Sequence, residues 1–373
     1  MEGLILEVIM NIGVPKEIRP FEFRVGMSPA GVELLTQFGH QVYVEHDAGI
    51  GAGFSDQEYE SAGARISYSS DEVFGRADFL LKVARPTNEE MGWLRPGTAI
   101  AGLLHLASSR RDKVDILLEK KITSIAYEQI ETADHSLPVL RPFSEVGGSM
   151  TATIAARFLQ CNRGGKGILL GGVPGVPPAE VVILGSGMVA NYATKAFLGL
   201  GAHVAVIGHD LAGLQKLHER YPGIVTMIST ARNIEKSTAF ADVVVGAVLV
   251  TGQRSPILVT REMVQNMKPR SVIIDVSIDQ GGCFETSRPT THELPVYEEE
   301  GVIHYCVPNM PSVVARTATH AFVNAAMPYI LEMANNGMDA AIKADPSLEK
   351  GINTHNGELV HLTLLEEGSN GLE

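Results

Sequence analysis

The segment that most constrains this chain is residues 179–208, AEVVILGSGMVANYATKAFLGLGAHVAVIG. A β-branched run, Glu180–Leu184, enters a glycine turn and emerges into an amphipathic stretch over Met188–Leu200. A second apolar run, His203–Ile207, follows at the spacing of a βαβ crossover. In the turn Gly185-Ser186-Gly187-Met188-Val189-Ala190, Gly185 permits a tight bend and Gly187 lets backbone N–H groups close on a diphosphate. Ala190 stands where the third small residue of this fingerprint packs helix on strand. The helix N-terminus adds partial positive charge for the same anion. The pattern predicts a dinucleotide-binding unit in which Gly185, Ser186, Gly187, Met188 and Val189 hold the cofactor. At the end of the second strand an acid would normally bond a ribose hydroxyl of NAD. Gly208 stands there, followed by His209 and Asp210. Without that carboxylate a 2′-phosphate meets no repulsion, so NAD or NADP is admissible, and Asp210 remains a candidate for a ribose hydroxyl.

The same alternation extends through the 373 residues and predicts an α/β fold with doubly wound, mostly parallel sheets. Strands are expected at Ile12–Val14, Gln41–Glu45, Phe79–Val83, Asp242–Ala247, Ser271–Ser277 and Val302–Cys306. Helices are expected at Ser28–Phe38, opening on a Ser-Pro cap, and at Thr317–Asn335. Residues 162–178, NRGGKGILLGGVPGVPP, punctuate the chain, and a more polar tail follows Asp339. A second glycine run, Gly49–Gly53, reads as a loop with Ser55 or Asp56 capping the next helix.

Composition excludes several classes. Forty-three Asp and Glu against 30 Lys and Arg leave a net charge of −13, which argues against a nucleic-acid surface. Three cysteines without a CxxC pair exclude a disulfide framework and a zinc ribbon. No HExxH or GxSxG pattern occurs, so no metal site and no serine-hydrolase chemistry is expected. Residues 1–9, MEGLILEVI, lack the charge order of a signal peptide and are too short to span a bilayer. They read as an extension before Met10, and the protein as cytoplasmic, with no membrane partner.

Three residues outside the fingerprint carry candidate chemistry. His105 ends the apolar run TAIAGLLHLA, where an imidazole either faces the ligand crevice or is a satisfied core histidine. Arg24, in EFRVGMSP, either clamps a substrate carboxylate or forms a structural ion pair. Asp279, before Gly281-Gly282, marks a site or an Asx-turn.

These blocks together resemble the alanine dehydrogenase family, which is related to the nucleotide-binding part of proton-translocating transhydrogenases. The resemblance runs from Met10 almost to the end. It rests on VPKEIRPFEFRVGMSPAGV, LLHLA, TSIAYE, PFSEVGG, GGKGILLGGVPGV, DVVVGAVLVTG, IDQGGCFE and VPNMPSVVART. It implies two Rossmann-like domains, with a dinucleotide domain (138–315) inserted into a discontinuous substrate domain (1–137 and 316–373). It also implies a homo-oligomer, usually a hexamer, and reversible oxidative deamination of L-alanine to pyruvate. By resemblance Arg24 binds the substrate carboxylate, His105 is the acid/base and Asp279 assists water or ammonia. Ser144, Ser229, Val248, Asp279 and Asn309 match nucleotide-cleft positions. The chain departs from the family at LLKVARP, where the family reads LLKVKEP: Ala84 replaces a catalytic lysine and Arg85 a glutamate. Lys82, two residues earlier, is expected on the same strand face as Ala84 and is the candidate replacement. Arg85 is expected to project oppositely unless the strand has ended. The expected function is a 2-oxo acid/amino acid oxidoreductase acting on alanine or on a divergent substrate. The alternatives are a nucleotide-binding homologue without turnover and a transhydrogenase-like component.

Overall fold

The computed structural model describes residues 8–248 and 254–362. Most of the N-terminal run and the end of the polar tail lie outside the described residues. Along the chain come β1 (Asn11–Val14), β2 (Gln41–Glu45), β3 (Arg65–Ser67), β4 (Phe79–Ala84), β5 (Ala99–Leu103) and β6 (Thr123–Ala126). After a long helix, Arg141–Phe158, come β7 (Glu180–Leu184), β8 (His203–Gly208), β9 (Val225–Ile228) and β10 (Val243–Gly246). Then follow β11 (Val272–Asp275), β12 (Val296–Glu299) and β13 (Val302–Tyr305), and finally β14 (Ile352–His355) and β15 (Glu358–Leu359).

The chain divides into two compact units, one holding residues up to Phe143 and from Ser312 onward, the other Ser144–Pro311. The sheet of the first unit has the order β15-β14-β6-β5-β4-β1-β2-β3. In it β1 to β6 are parallel, while β14 is antiparallel to β6 and β15 to β14. The sheet of the second unit has the order β12-β13-β11-β10-β7-β8-β9, parallel except for β12. In both units the parallel strands, counted in chain order, lie third-second-first-fourth-fifth-sixth, the doubly wound order. Each sheet therefore has a switch point where the winding reverses, between β1 and β4 in one unit and between β7 and β10 in the other.

Both faces of each parallel sheet are covered, so strands read as continuous apolar runs. Along β7, Val181 and Ile183 enter one core while Val182 and Leu184 enter the other. Along β4, Phe79, Leu81 and Val83 line one core and Leu80 the opposite one. Lys82 follows Leu80 onto that second face and is the charged exception.

The helix expected from Ser28 starts at Pro29, with the Ser28 hydroxyl accepting from the Gly31 N–H. Ser55 heads a capping box with Glu58, and the run Gly49–Gly53, expected as a loop, winds into a short 3-10 helix, Ile50–Ala52. Other expectations change. The run Ser271–Ser277 stops being strand at Asp275, because the Asp275 carboxylate accepts the Ser277 N–H at 3.0 Å and turns the chain into a 3-10 helix, Val276–Gln280. The tail after Asp339 is largely ordered into two short helices and β14, which extends the first sheet through pairing with β6. No helix among the described residues is long and apolar enough to cross a membrane.

Candidate active site

In the second unit the fingerprint folds as expected, and its geometry explains each glycine. Gly185 has φ of +119°, and a Cβ there would lie 2.2 Å from the Ala247 carbonyl oxygen across the switch point. Gly187 is the N-cap of the helix Met188–Gly199, with no side-chain cap and nothing within 4 Å of a built Cβ. A helix N-terminus left uncapped beside open space fits the diphosphate of a dinucleotide. From the other side Gly148, in the helix Arg141–Phe158, approaches so closely that a Cβ would sit 2.5 Å from the Val189 carbonyl oxygen. Ser144 lies one turn earlier in that helix, half-buried.

The carboxyl ends of β8, β9, β10 and β11 bring the other nucleotide candidates to one edge. Ser229 follows β9 and donates its N–H to the Gly208 carbonyl at 2.9 Å. Val248 follows β10 and donates its N–H to Ser277 Oγ at 2.9 Å. Asp279 is exposed on the 3-10 helix after β11, and its Oδ1 accepts the Asn309 N–H at 3.1 Å. Asp279 and Asn309 are thus brought together, with Asn309 in the left-handed region at φ +53°. Asp210 serves the backbone: Oδ1 and Oδ2 accept the N–H groups of Ala212 and Gly213 and cap the next helix. Gly208 has lost more than a carboxylate, since a Cβ there would meet Ser186 Oγ at 2.8 Å.

The switch point of the first unit is filled instead with charge. Glu17 follows β1, and its Oε1 accepts the N–H groups of Val83 and Ala84 at 2.7 and 3.3 Å, joining the loop after β1 to the end of β4. Lys82 is 0% exposed and donates to Glu17 Oε2 at 3.1 Å and Glu90 Oε1 at 2.6 Å. Burial alone would release the Lys82 proton, but the two carboxylates hold it and the net shift is upward. Burial pushes the Glu17 carboxyl up, with Glu22 and Glu90 adding to the rise against Lys82 and the Val83 N–H. The expected substrate-binding lysine is therefore enclosed between two carboxylates, which follows from β4 placing it on the covered face rather than at the strand tip. Arg85, by contrast, comes after the end of β4, and a register shift between Leu81 and Ala84 brings it onto the Ile100 and Leu104 side.

Arg24 is 2% exposed, and Glu22 holds it through Nε at 2.7 Å and Nη2 at 2.5 Å. Its guanidinium lies 4.8 Å from the centre of the Phe143 ring. The structural ion pair is present, while Nη1 has no protein hydrogen-bond partner among the described residues. His105 is not a core histidine: its side chain is 55% exposed, and φ is +43°, a left-handed conformation costly for a residue with a Cβ. Glu128 holds it there, accepting the His105 N–H at 2.6 Å and the Leu104 N–H at 3.1 Å, with Nδ1 of His105 3.7 Å from the same carboxylate.

Glu17, Glu90 and Glu128 organise these residues, and the sequence reading singled out none of them. The signal was present for Glu90, whose capping box with Thr87 opens the helix Asn88–Trp93. Glu17 and Glu128 act across sequence gaps of 65 and 23 residues and had no local signature. The fold also gathers His46, Asp47 and Asp56, with ligand atoms within 4.8 Å of one another, although no metal spacing was read from the sequence.

Two doubly wound units, one bearing a dinucleotide fingerprint with a backbone cradle, define the class as a nucleotide-binding α/β protein of dehydrogenase type. Known proteins narrow this. The model of the alanine dehydrogenase/PNT N-terminal domain matches residues 13–147, and that of the C-terminal domain matches residues 151–362. Alanine dehydrogenase of Methanococcus maripaludis is 47% identical over 354 residues, 94% of this chain and 95% of that protein. The Mycobacterium tuberculosis alanine dehydrogenase is 45% identical over 352 residues, 94% of this chain and 95% of that one. A solved L-alanine dehydrogenase superposes with a TM-score of 0.91 at 44% identity, covering 94% of this chain and 97% of that chain. A Sinorhizobium meliloti transhydrogenase superposes at 0.81 with 26% identity, covering 94% and 99%. The chain belongs to the alanine dehydrogenase/PNT family.

Proposed function

We propose that the protein is a nicotinamide-dependent amino-acid dehydrogenase. In the deamination direction it converts an L-amino acid, oxidised nicotinamide dinucleotide and water into a 2-oxo acid, ammonium, the reduced dinucleotide and a proton. The observation that carries this reading is His105: an exposed imidazole held in a strained turn by Glu128, in a chain that also carries the dinucleotide cradle. Strain at an exposed titratable residue marks a place where position matters more than local stability.

When bound, the nicotinamide supplies the hydride acceptor or donor. The backbone around Gly185, Ser186, Gly187, Met188 and Val189 holds the diphosphate, with Ser144, Ser229, Val248 and Asn309 lining the rest of the nucleotide. Arg24, fixed by Glu22, presents Nη1 to the substrate carboxylate. His105 takes a proton from the attacking water and returns one when the carbon–nitrogen bond breaks. Lys82 acts as a positioning residue, since its ammonium ties β4 to Glu17 and Glu90. No ammonium stands at Ala84 to stabilise developing oxygen charge, and the substrate is alanine or a divergent amino acid. With Gly208 at the end of β8 and the Asp210 oxygens engaged in capping, both NADH and NADPH are expected to serve. A homo-oligomer, hexameric by family, completes the reading.

The test is an absorbance assay with NADH or NADPH, ammonium and a panel of 2-oxo acids. Oxidation with at least one pair is expected. No oxidation with any pair overturns the proposal. A gain of pyruvate turnover in Ala84→Lys would identify Ala84 as the point of divergence.

A further inference from the structure

We propose that Asp275 is a positioning residue for the nicotinamide half of the dinucleotide: its buried carboxyl group fastens together the chain segments that carry the cleft residues Val248, Asp279 and Asn309. This rests on the nicotinamide-dependent reading above and adds to it a residue that acts through its neighbours.

The strand order decides which half of the nucleotide is concerned. The diphosphate cradle follows β7, and Gly208, the strand end where the fingerprint reads the adenosine ribose, lies on the β8 side. On the other side come β10 and then β11, so their carboxyl ends fall to the half that bears the nicotinamide. Asp275 is the last residue of β11 and pairs with Gly246, the last residue of β10.

From there the carboxyl group holds two stretches of chain at once. Its Oδ1 accepts the Ser277 N–H at 3.0 Å, while Oδ2 accepts the Cys283 N–H at 2.9 Å and the Ser287 hydroxyl at 2.6 Å. The first bond ends β11 and starts the 3-10 helix Val276–Gln280. The other two bring the chain back beneath that helix after Gly281-Gly282. Ser277, fixed in this way, accepts the Val248 N–H on its Oγ at 2.9 Å and so anchors the residues that leave β10. Two positions further along the same 3-10 helix, Asp279 Oδ1 accepts the Asn309 N–H at 3.1 Å.

The backbone makes room for this group. A Cβ at Gly246 would stand 2.8 Å from Asp275 Oδ1, and one at Gly282, where φ is +81°, would stand 2.6 Å from Oδ2. Asp275 is 1% exposed, and no Lys, Arg or His pairs with it among the described residues. Burial pushes its carboxyl up, and the donors from Ser287, Cys283 and Ser277 pull the other way. A carboxyl group buried without a cation is a costly way to end a strand. A neutral Asx-turn would bend the chain equally well. What an asparagine lacks is the second acceptor oxygen, and both oxygens are used here, one for each stretch of chain. The carboxyl group is therefore matched to joining the two stretches, and the joint lies directly under the exposed Asp279.

The experiment compares three ligands by isothermal titration calorimetry: NADH, NADPH and ADP, each with the wild type, Asp275→Asn and Ser277→Ala. ADP carries the diphosphate and adenosine but no nicotinamide half, so it reads the cradle after β7 and reports that the unit is folded. In Asp275→Asn an amide nitrogen faces backbone N–H donors, and Kd for NADH or NADPH is expected to rise tenfold or more. Kd for ADP should stay within about twofold of the wild type, since the cradle rests on other residues. Ser277→Ala leaves every bond to the Asp275 carboxyl in place and removes only the acceptor for the Val248 N–H. It retains the test if Asp275→Asn fails to fold, and it is expected to weaken the dinucleotides severalfold, again without loss of ADP. ADP weakening in step with the dinucleotides would make these residues part of the general framework and overturn the proposal. Unchanged Kd values for all three ligands overturn it as well, and oxidation of NADH or NADPH with a 2-oxo acid would then leave the oxidoreductase reading intact. A split between ADP and the dinucleotides in a protein that oxidises neither with any 2-oxo acid keeps the proposal and overturns that reading.

Discussion

The two units share one strand order, yet their switch points are built from opposite materials. Between β7 and β10 the winding reversal is lined by backbone: Gly185 packs against Ala247 where no Cβ fits, and an uncapped helix begins at Gly187. Between β1 and β4 it is filled by side chains, with the Lys82 ammonium buried between the carboxylates of Glu17 and Glu90. The difference teaches what each crevice can do. A backbone cradle binds a diphosphate whatever the surrounding side chains, because peptide N–H groups are present in every residue. A charged side-chain network instead holds neighbouring groups, here the end of β4 that precedes Arg85, in one fixed arrangement.

The strongest test of that contrast is on the side-chain half. His105→Ala is expected to lower kcat by about 10²–10⁴-fold in steady-state assays, the usual contribution of one acid/base group. Nucleotide affinity, measured by fluorescence titration, should change little. An unaltered kcat would remove His105 from the chemistry and with it the idea that the first unit works through side chains.

Next in size is Lys82→Met. Removing the cation strands two buried carboxylates, which costs about 3–5 kcal/mol in comparable networks. The denaturant midpoint should fall accordingly, and adding Glu17→Gln and Glu90→Gln should recover part of the loss. If the single variant is as stable as the wild type, the network is not what closes this switch point.

The backbone half is tested more gently. Gly208→Asp alone is expected to perturb the fingerprint, since its Cβ falls 2.8 Å from Ser186 Oγ. Combined with Ser186→Gly, the aspartate should turn the NADH/NADPH ratio of kcat/KM toward NADH by about tenfold, or about 1.4 kcal/mol. No shift in the double variant would show that the strand end does not read the ribose.

The smallest effect is structural. Asp242, just before β10, accepts from Lys166 at 2.5 Å, the Glu180 N–H at 2.9 Å and Lys268 at 3.1 Å. Burial alone would raise its pKa, but these donors prevail and lower it. A folded pKa below the unfolded one contributes stability above the unfolded value, lost as pH falls through the folded pKa. Asp242→Asn should therefore cost about 1 kcal/mol near neutrality, reduced by its partial exposure. Its thermal stability should also depend less on pH in the acid range than that of the wild type.

Much of this molecule was legible before folding. The βαβ fingerprint, the Ser28 and Ser55 caps and the strands β7 and β8 are local patterns, set by neighbours a few residues away. What resisted reading was nonlocal or two-sided. Lys82 reads as the candidate replacement at the substrate because alternation gives the face of a strand but not what covers it. The tail after Asp339 looked merely polar because β14 is stabilised by pairing with β6, more than 220 residues away, as in the Ser124–Thr354 bond at |i−j| of 230. His105 reads from sequence as either core or crevice, and the turn that Glu128 holds leaves its imidazole exposed rather than in the core.

By itself, then, the sequence determined the α/β class and the dinucleotide cradle, because each resides in residue identity or short-range spacing. Tertiary structure alone decided which charges are enclosed and which face an opening. Those outcomes depend on desolvation and on partners supplied by distant segments, and neither is encoded in any short stretch of chain.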